Sequence, residues 1–346
     1  MPRIETESNK PSGRDGGNVT LVTGATGFVG SAVVRQLVQS GHKVKALVRP
    51  TSILKNIENI PLDIVTGDLT DRVSLQKALD GCDYLFHVAA DYRLWVPEPE
   101  EMYKNNVVGT RKIMQEAMKA GVRKIIYTSS VATLKLDCNK PLADENSAAS
   151  LEDMIGHYKR SKFLAEKEVL QLIETQGLPA VIVNPSAPVG PGDIKPTPTG
   201  RFIVDAVAGR MPAYVDTGLN IVHVNDVAEG HILALKHGRI GQRYILGGHN
   251  MTLQEILIEI ASIAGCTPPR IRIPYRLILP IAILAEAWAS CTGKGEPRVT
   301  LAGAKMAKKQ MFFSSAKAER EIKYISRPAQ AALYDAVHWF KENGYC

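Results

Sequence analysis

Along the first half of the chain, short apolar runs alternate with longer stretches whose apolar residues return every three or four positions. The runs "NVTLVT" (18–23), "KVKALV" (43–48), "LDIVTG" (62–67), "DYLFHVAA" (83–90), "KIIYTSS" (124–130) and "PAVIVNP" (179–185) read as buried strands. The stretch "SAVVRQLVQSG" is amphipathic and has a natural stop at Gly41. "VSLQKALDG", the segment 100–121 and "HYKRSKFLAEKEVLQLIETQG" fill the other gaps, and the last carries a helical stripe of Phe163, Leu164, Val169, Leu170, Leu172 and Ile173. This alternation predicts an α/β fold of Rossmann type, a doubly wound parallel sheet covered on both faces.

After about residue 190 the regularity fades. "NPSAPVGPGDIKPTPTG" (184–200) is too rich in turn formers to predict helix or strand. Helices ("TLQEILIEIASIAG", "QAALYDAVHWFKENG") and a short strand ("RYILGG") then predict a smaller C-terminal substrate lobe over the carboxyl edge of the sheet. The expected division is a first domain over 18–190 and a second lobe over 191–346, some of whose segments return to the first core. Residues 1–17 are polar, without the apolar core of a signal peptide, and predict a disordered tail. "LILPIAILA" (277–285) is too short to span a bilayer and is interrupted by Pro280. The wider stretch "RLILPIAILAEAWAS" (276–290) admits three readings: a core helix, a lid over an apolar pocket, or a helix touching a membrane surface.

Composition narrows the partners. The 346 residues are 45% hydrophobic and 22% charged, with a net charge of +7. This balance favours small anionic ligands such as nucleotides, but the basic residues are scattered and no nucleic-acid partner is expected. Cys82, Cys138, Cys266, Cys291 and Cys346 are far apart and odd in number, which argues against a disulfide framework or a metal site and for a reducing cytoplasm.

Directly after the first strand, "TGATGFVG" places Gly24, Gly27 and Gly30 at a turn into a helix, where backbone can approach a pyrophosphate. Selectivity for NAD usually needs an acid near the end of the second strand. That strand ends "ALVRP", and Arg49 suits the 2′-phosphate of NADP instead, so NADP(H) is favoured while NAD(H) stays open. The plain alternative for Arg49 is a solvated surface position. Asp68, in "TGDLTD", is a candidate acceptor for the adenine amine, or else the cap of the helix that follows.

Tyr158 and Lys162 in "HYKRSK" are four apart, hence on one helix face. A phenol near pKa 10 becomes a useful acid–base group when a neighbouring ammonium stabilises the phenolate. On this helix Lys159 and Arg160 turn away and are expected to be solvated. Ser130, with Ser129 as the fallback, ends the fifth strand and could donate to a developing oxyanion.

Seven motifs in order, "TGATGFVG", "GDLTD", "HVAA", "NNVVGT", "TSS", "YKRSK" and "HVNDVAEG", resemble the extended short-chain dehydrogenases/reductases from about residue 18 to the C-terminus. The resemblance implies catalytic roles for Ser130, Tyr158, Lys162 and Asn106. It also implies cofactor contacts at Gly24, Thr26, Gly27, Phe28, Val29, Gly30, Asp68, Leu69, Val88, Ala89, Ala90, Tyr158, Lys162, Pro185 and Ser186. Asp91, Tyr92, Arg93 and Trp95, after the fourth strand, and Ser130 are expected to face the substrate, although Trp95 also suits buried packing. The middle of the chain is similar to the bacterial hopanoid-associated sugar epimerases and to dihydroflavonol 4-reductases. Two reactions are implied: NADPH-dependent reduction of a carbonyl, or epimerisation with NAD held tightly. "SSVAT" lacks the acids of the family's dehydratases, and Asn184 stands where many nucleotide-sugar epimerases carry arginine. The expected substrate is a sugar- or polyol-like small molecule, lipid-linked in one reading, and the family's habit suggests a homodimer. A sensor that binds dinucleotide without chemistry is the non-enzyme alternative.

Overall fold

A computed structural model describes residues 18–137, 142–292, 297 and 300–346. The expected tail over 1–17 and Cys138 lie outside the described residues. Six strands form in the order anticipated: β1 (Val19–Thr23), β2 (Lys43–Val48), β3 (Asp63–Thr66), β4 (Tyr84–His87), β5 (Lys124–Thr128) and β6 (Ala180–Pro185). The short strands β7 (Ala187–Val189), β8 (Ala213–Val215) and β9 (Gly218–His223) lie outside their sheet, and β10 (Arg243–Leu246) returns to it. The result is a seven-stranded parallel sheet ordered β3-β2-β1-β4-β5-β6-β10.

The helices of the first half are α1 (Phe28–Gln39), α2 (Arg72–Leu79), α3 (Pro99–Tyr103), α4 (Thr110–Lys119) and α5 (Gly156–Gln176). Those of the second half are α6 (Pro198–Val207), α7 (Val224–His237), α8 (Leu253–Ala264), α9 (Tyr275–Thr292), α10 (Leu301–Met306), α11 (Ala316–Ile322) and α12 (Ala329–Glu342). Alternate strand residues feed two apolar layers, because successive side chains leave opposite faces of a sheet. Val22, Phe86, Ile126 and Val183 pack with Val33 and Leu37 of α1 and Val227 of α7. Leu21, Leu85, Ile125 and Ile182 pack with Leu75, Ile113 and Val169 on the other face. A side chain of this size contributes about 1.5–3 kcal/mol when fully buried. Ile203, Ile256, Leu333 and Phe340 form a separate core in the lobe.

Two expectations need correction. "RYILGG" does not belong to the lobe: Tyr244, Ile245 and Leu246 are fully buried, and the strand seals the main sheet beside β6. The proline-rich segment 184–200 contains the end of β6, then β7, which pairs with β9, and the start of α6. Pro198 is tolerated there because the first helical turn needs no amide donor, and Thr197 supplies the cap. Strand order reverses around β1, which has β2 on one side and β4 on the other. In such sheets this reversal opens a crevice at the carboxyl ends.

Candidate active site

The glycine turn closes that crevice. Gly24 adopts φ +70°, and a Cβ there would lie 2.7 Å from the Ala89 backbone. A Cβ on Gly30 would lie 2.0 Å from the Gly24 carbonyl oxygen, and the Gly27 N–H donates to that oxygen at 2.9 Å. Strand, turn and α1 can approach this closely only without side chains. Phe28 and Val29 open α1 and pack on its core, while the Thr26 carbonyl accepts from Asn56 Nδ2 at 3.2 Å. The other Asn56 bond, 3.0 Å to the Gly192 carbonyl, ties the turn to the segment leading into the lobe.

Arg49 is exposed at the end of β2. Asp68 accepts the N–H and hydroxyl of Thr70, both at 2.7 Å. Burial alone would raise its pKa, but the Thr70 bonds and the charges of Arg49 and Lys104 bring it below the ordinary carboxylate range. Asp68 is not the helix cap considered from sequence; Asp71 accepts from Val73 and Ser74 and starts α2. Leu69, Val88, Ala89 and Ala90 are half-buried along the crevice, and the Ala89 N–H donates to the Thr23 hydroxyl at 3.2 Å. Pro185 is buried, and the Ser186 hydroxyl is sealed from solvent with no hydrogen-bond partner among the described residues. A side-chain-free turn and this orphaned hydroxyl fit a dinucleotide laid across the edge.

Ser130 and Tyr158 come together across β5 and α5. Burial raises the Tyr158 pKa, and a hydrogen bond from the Ser130 side chain pulls against that rise. The Ser130 hydroxyl also accepts the Ala132 N–H at 3.1 Å. Lys162 lies one turn on, but its ammonium turns inward: it donates to the Thr128 carbonyl at 2.8 Å and weakly to the Tyr127 hydroxyl at 3.4 Å. Burial lowers its pKa to about 8, against the opposing charge of Glu166. Asn106 is in a π-helical turn, Lys104–Gly109, between α3 and α4. Its Oδ1 accepts the Asp91 N–H at 2.7 Å, and its Nδ2 donates to the Asp91 carbonyl and the Ser161 hydroxyl at 2.8 and 2.9 Å.

Lys159 is not the solvated bystander expected from helix phase. It is half-buried, and burial together with Lys309 lowers its pKa to about 8. It lines a small cleft of mixed character with Leu134, Lys135, Asp153, Met154, Lys309 and Met311. Arg160 is exposed as expected. On the substrate side, the Asp91 carboxylate is taken up by Arg93 at 2.5 Å, and Tyr92 donates to the Lys195 carbonyl at 3.4 Å. Trp95 is half-buried.

Several residues escaped sequence reasoning. Glu166 is buried one turn beyond Lys162 and accepts Thr133 Oγ1 at 3.1 Å and Asn184 Nδ2 at 3.0 Å, while its other oxygen pairs with Arg243. Asn184 also donates to the Ser130 carbonyl at 3.0 Å. His87 bridges the hydroxyls of Thr23 and Thr110 at 2.8 Å each and stacks on Tyr127. Burial, then the Lys162 charge, lowers its pKa to about 3, so the ring is neutral. The four-residue spacing 158, 162, 166 was the one signal available for Glu166. Among the described residues, no group of three or more His, Cys, Asp or Glu side chains is placed to hold a metal ion.

Comparison with known proteins identifies the family. The model of the NAD dependent epimerase/dehydratase family matches residues 20–247. A Synechocystis protein provisionally named a dihydroflavonol 4-reductase is 45% identical over 94% of this chain and 95% of its own length. Sterol demethylase protein B of Methylococcus capsulatus is 35% identical over 94% of this chain and 99% of its own. The crystal structure of a protein designated gox2253 superposes with a TM-score of 0.86 at 55% identity, covering 95% of this chain and 99% of that one. Glycine turn, parallel sheet and relatives agree: the chain is an enzyme of the NAD dependent epimerase/dehydratase family, an extended short-chain dehydrogenase/reductase.

Proposed function

We propose that the protein is an NADP(H)-dependent reductase of a ketone or aldehyde borne on a large apolar scaffold, polycyclic or lipid-linked. The observation that carries this reading is the grouping of Ser130, after β5, with Tyr158 and the buried Lys162 on α5, where Lys162 is anchored to the Thr128 carbonyl at the end of β5. When bound, the nicotinamide supplies the hydride. Ser130 holds and polarises the carbonyl oxygen. Tyr158 gives that oxygen its proton, and Lys162 offsets the charge of the phenolate left behind. Asn106 keeps α5 in register through its bonds to Asp91 and Ser161.

Arg49 supports NADP, because β2 ends in a guanidinium rather than an acid. In this reading residues 18–190 hold the cofactor and the lobe over 191–346 the substrate, with α7 and β10 serving the first unit. The apolar scaffold is supported by relatives named for a dihydroflavonol and a sterol. Asn184 is committed to Glu166, which disfavours a nucleotide sugar. Cys82, Cys266, Cys291 and Cys346 are free thiols, in keeping with the cytoplasm.

The test identifies the nucleotide that co-purifies, then follows NADPH oxidation with a sterol ketone, a dihydroflavonol and a nucleotide sugar. Oxidation with either apolar ketone supports reduction. Tightly held NAD with turnover of the nucleotide sugar alone overturns it in favour of epimerisation, and bound nucleotide without turnover of any substrate favours a sensor. Tyr158→Phe should lower turnover by about 10²–10⁴-fold with NADPH affinity largely kept; a fully active variant removes the mechanism.

A further inference from the structure

The chemistry above makes no use of the exposed face of α9. Leu277, Ile281, Leu284 and Trp288 recur at intervals of four, three and four, so they form one stripe along the helix. They are 58%, 48%, 70% and 66% exposed, and Ile283, on another flank of the helix, is 54% exposed. Ala282 and Ala289, about a third of a turn round the helix from the stripe, are buried, and Glu286 accepts the Leu301 N–H at 2.6 Å where α10 begins. The inner face therefore holds α9 to the lobe while the stripe faces solvent. The core reading fails for that face, and a contiguous apolar patch of this size marks an interaction surface.

Charge decides what covers it. Among the described residues from 266 to 309 stand six cations, Arg270, Arg272, Arg276, Lys305, Lys308 and Lys309, against one acid, Glu286, which is already occupied. Asp216, from an adjoining segment, pairs with Arg272 only. A second copy of the chain would bring like charges together, whereas an anionic bilayer complements them. No helix among the described residues is long and apolar enough to cross a membrane, so α9 would lie in the surface plane. We propose that α9 docks the protein on anionic lipid, with the stripe among the acyl chains and the flanking cations on headgroup phosphates.

The full chain should float with vesicles of phosphatidylcholine and phosphatidylglycerol, and poorly with phosphatidylcholine alone. Binding should fall several-fold in 0.5 M salt, and Trp288 emission should shift to the blue on binding. Leu284→Glu with Trp288→Glu, both at exposed sites, should reduce binding at least tenfold without changing the melting temperature. Arg270→Glu with Arg276→Glu should do the same on anionic vesicles only. Failure to float with either vesicle, or unchanged flotation of both variants, overturns the proposal. So does a dimer that Leu284→Glu dissociates, which would make the occupant a second copy. The measurement needs no turnover, so its failure and that of the reductase reading are distinguishable.

Discussion

Lys162 stands over the ring of Tyr127, its ammonium 5.0 Å from the centroid, and is nearly sealed from water. Burial lowers its pKa from 10.5 to about 8. Between those values the unfolded chain binds the extra proton, so this group's contribution to stability rises with pH from about 8 to 10.5 and is least favourable below 8. Lys162→Met removes a cation that burial penalises. The variant should be more stable at neutral pH by about 1–3 kcal/mol, lack that rise, and lose nearly all turnover. Chemical denaturation from pH 7 to 10 checks this; a destabilised variant contradicts it.

Glu166 raises the pKa of Lys162 by its charge. Glu166→Gln keeps an acceptor for Thr133 and Asn184 but removes the charge. The basic limb of the turnover profile should move to lower pH while folding is retained. An unmoved limb would make Glu166 a purely structural residue.

Gly30, in the first turn of α1, and Gly41, just past its end, should separate site from scaffold. Gly30→Ala places a methyl 2.0 Å from the Gly24 oxygen, so nucleotide binding should be lost and the turn displaced. Gly41, at φ +81° with open space around it, should cost only about 1–2 kcal/mol as alanine and leave nucleotide affinity unchanged. Thermal melts and nucleotide titration of both variants decide the matter.

Asp193, buried beside Thr197, has its pKa raised from 3.8 to about 6, chiefly by burial and against the Thr197 bonds. Stability from this group is full below the unfolded value and is lost as pH rises from about 4 to 6. Asp193→Asn should flatten the stability profile over that interval; an unchanged slope counts against it.

Much of the site was legible from short-range spacing. Gly24, Gly27 and Gly30 follow a strand, and Tyr158 and Lys162 share a helix face, because both patterns repeat within a few residues. The direction of the Lys162 ammonium was not legible, since Thr128 and Tyr127 reach it from a strand 34 and 35 residues away. Nor was the Glu166 network, whose partners Asn184 and Arg243 lie on β6 and β10. "RYILGG" was assigned to the wrong unit because an apolar run shows burial but not which sheet edge it will close. The outward face of α9 was among the readings considered for that stretch, but an apolar helix carries no mark of which side the body leaves uncovered.

The π turn at Lys104–Gly109 has a consequence for chain length. Such a turn holds one more residue than its α-helical counterpart, so the windings before and after it differ in phase by about 100°. Deleting a single residue there would restore regular winding while swinging Asn106 away from Asp91 and Ser161. At this point the alignment of the two halves depends on how many residues the segment contains, as well as on which residues they are.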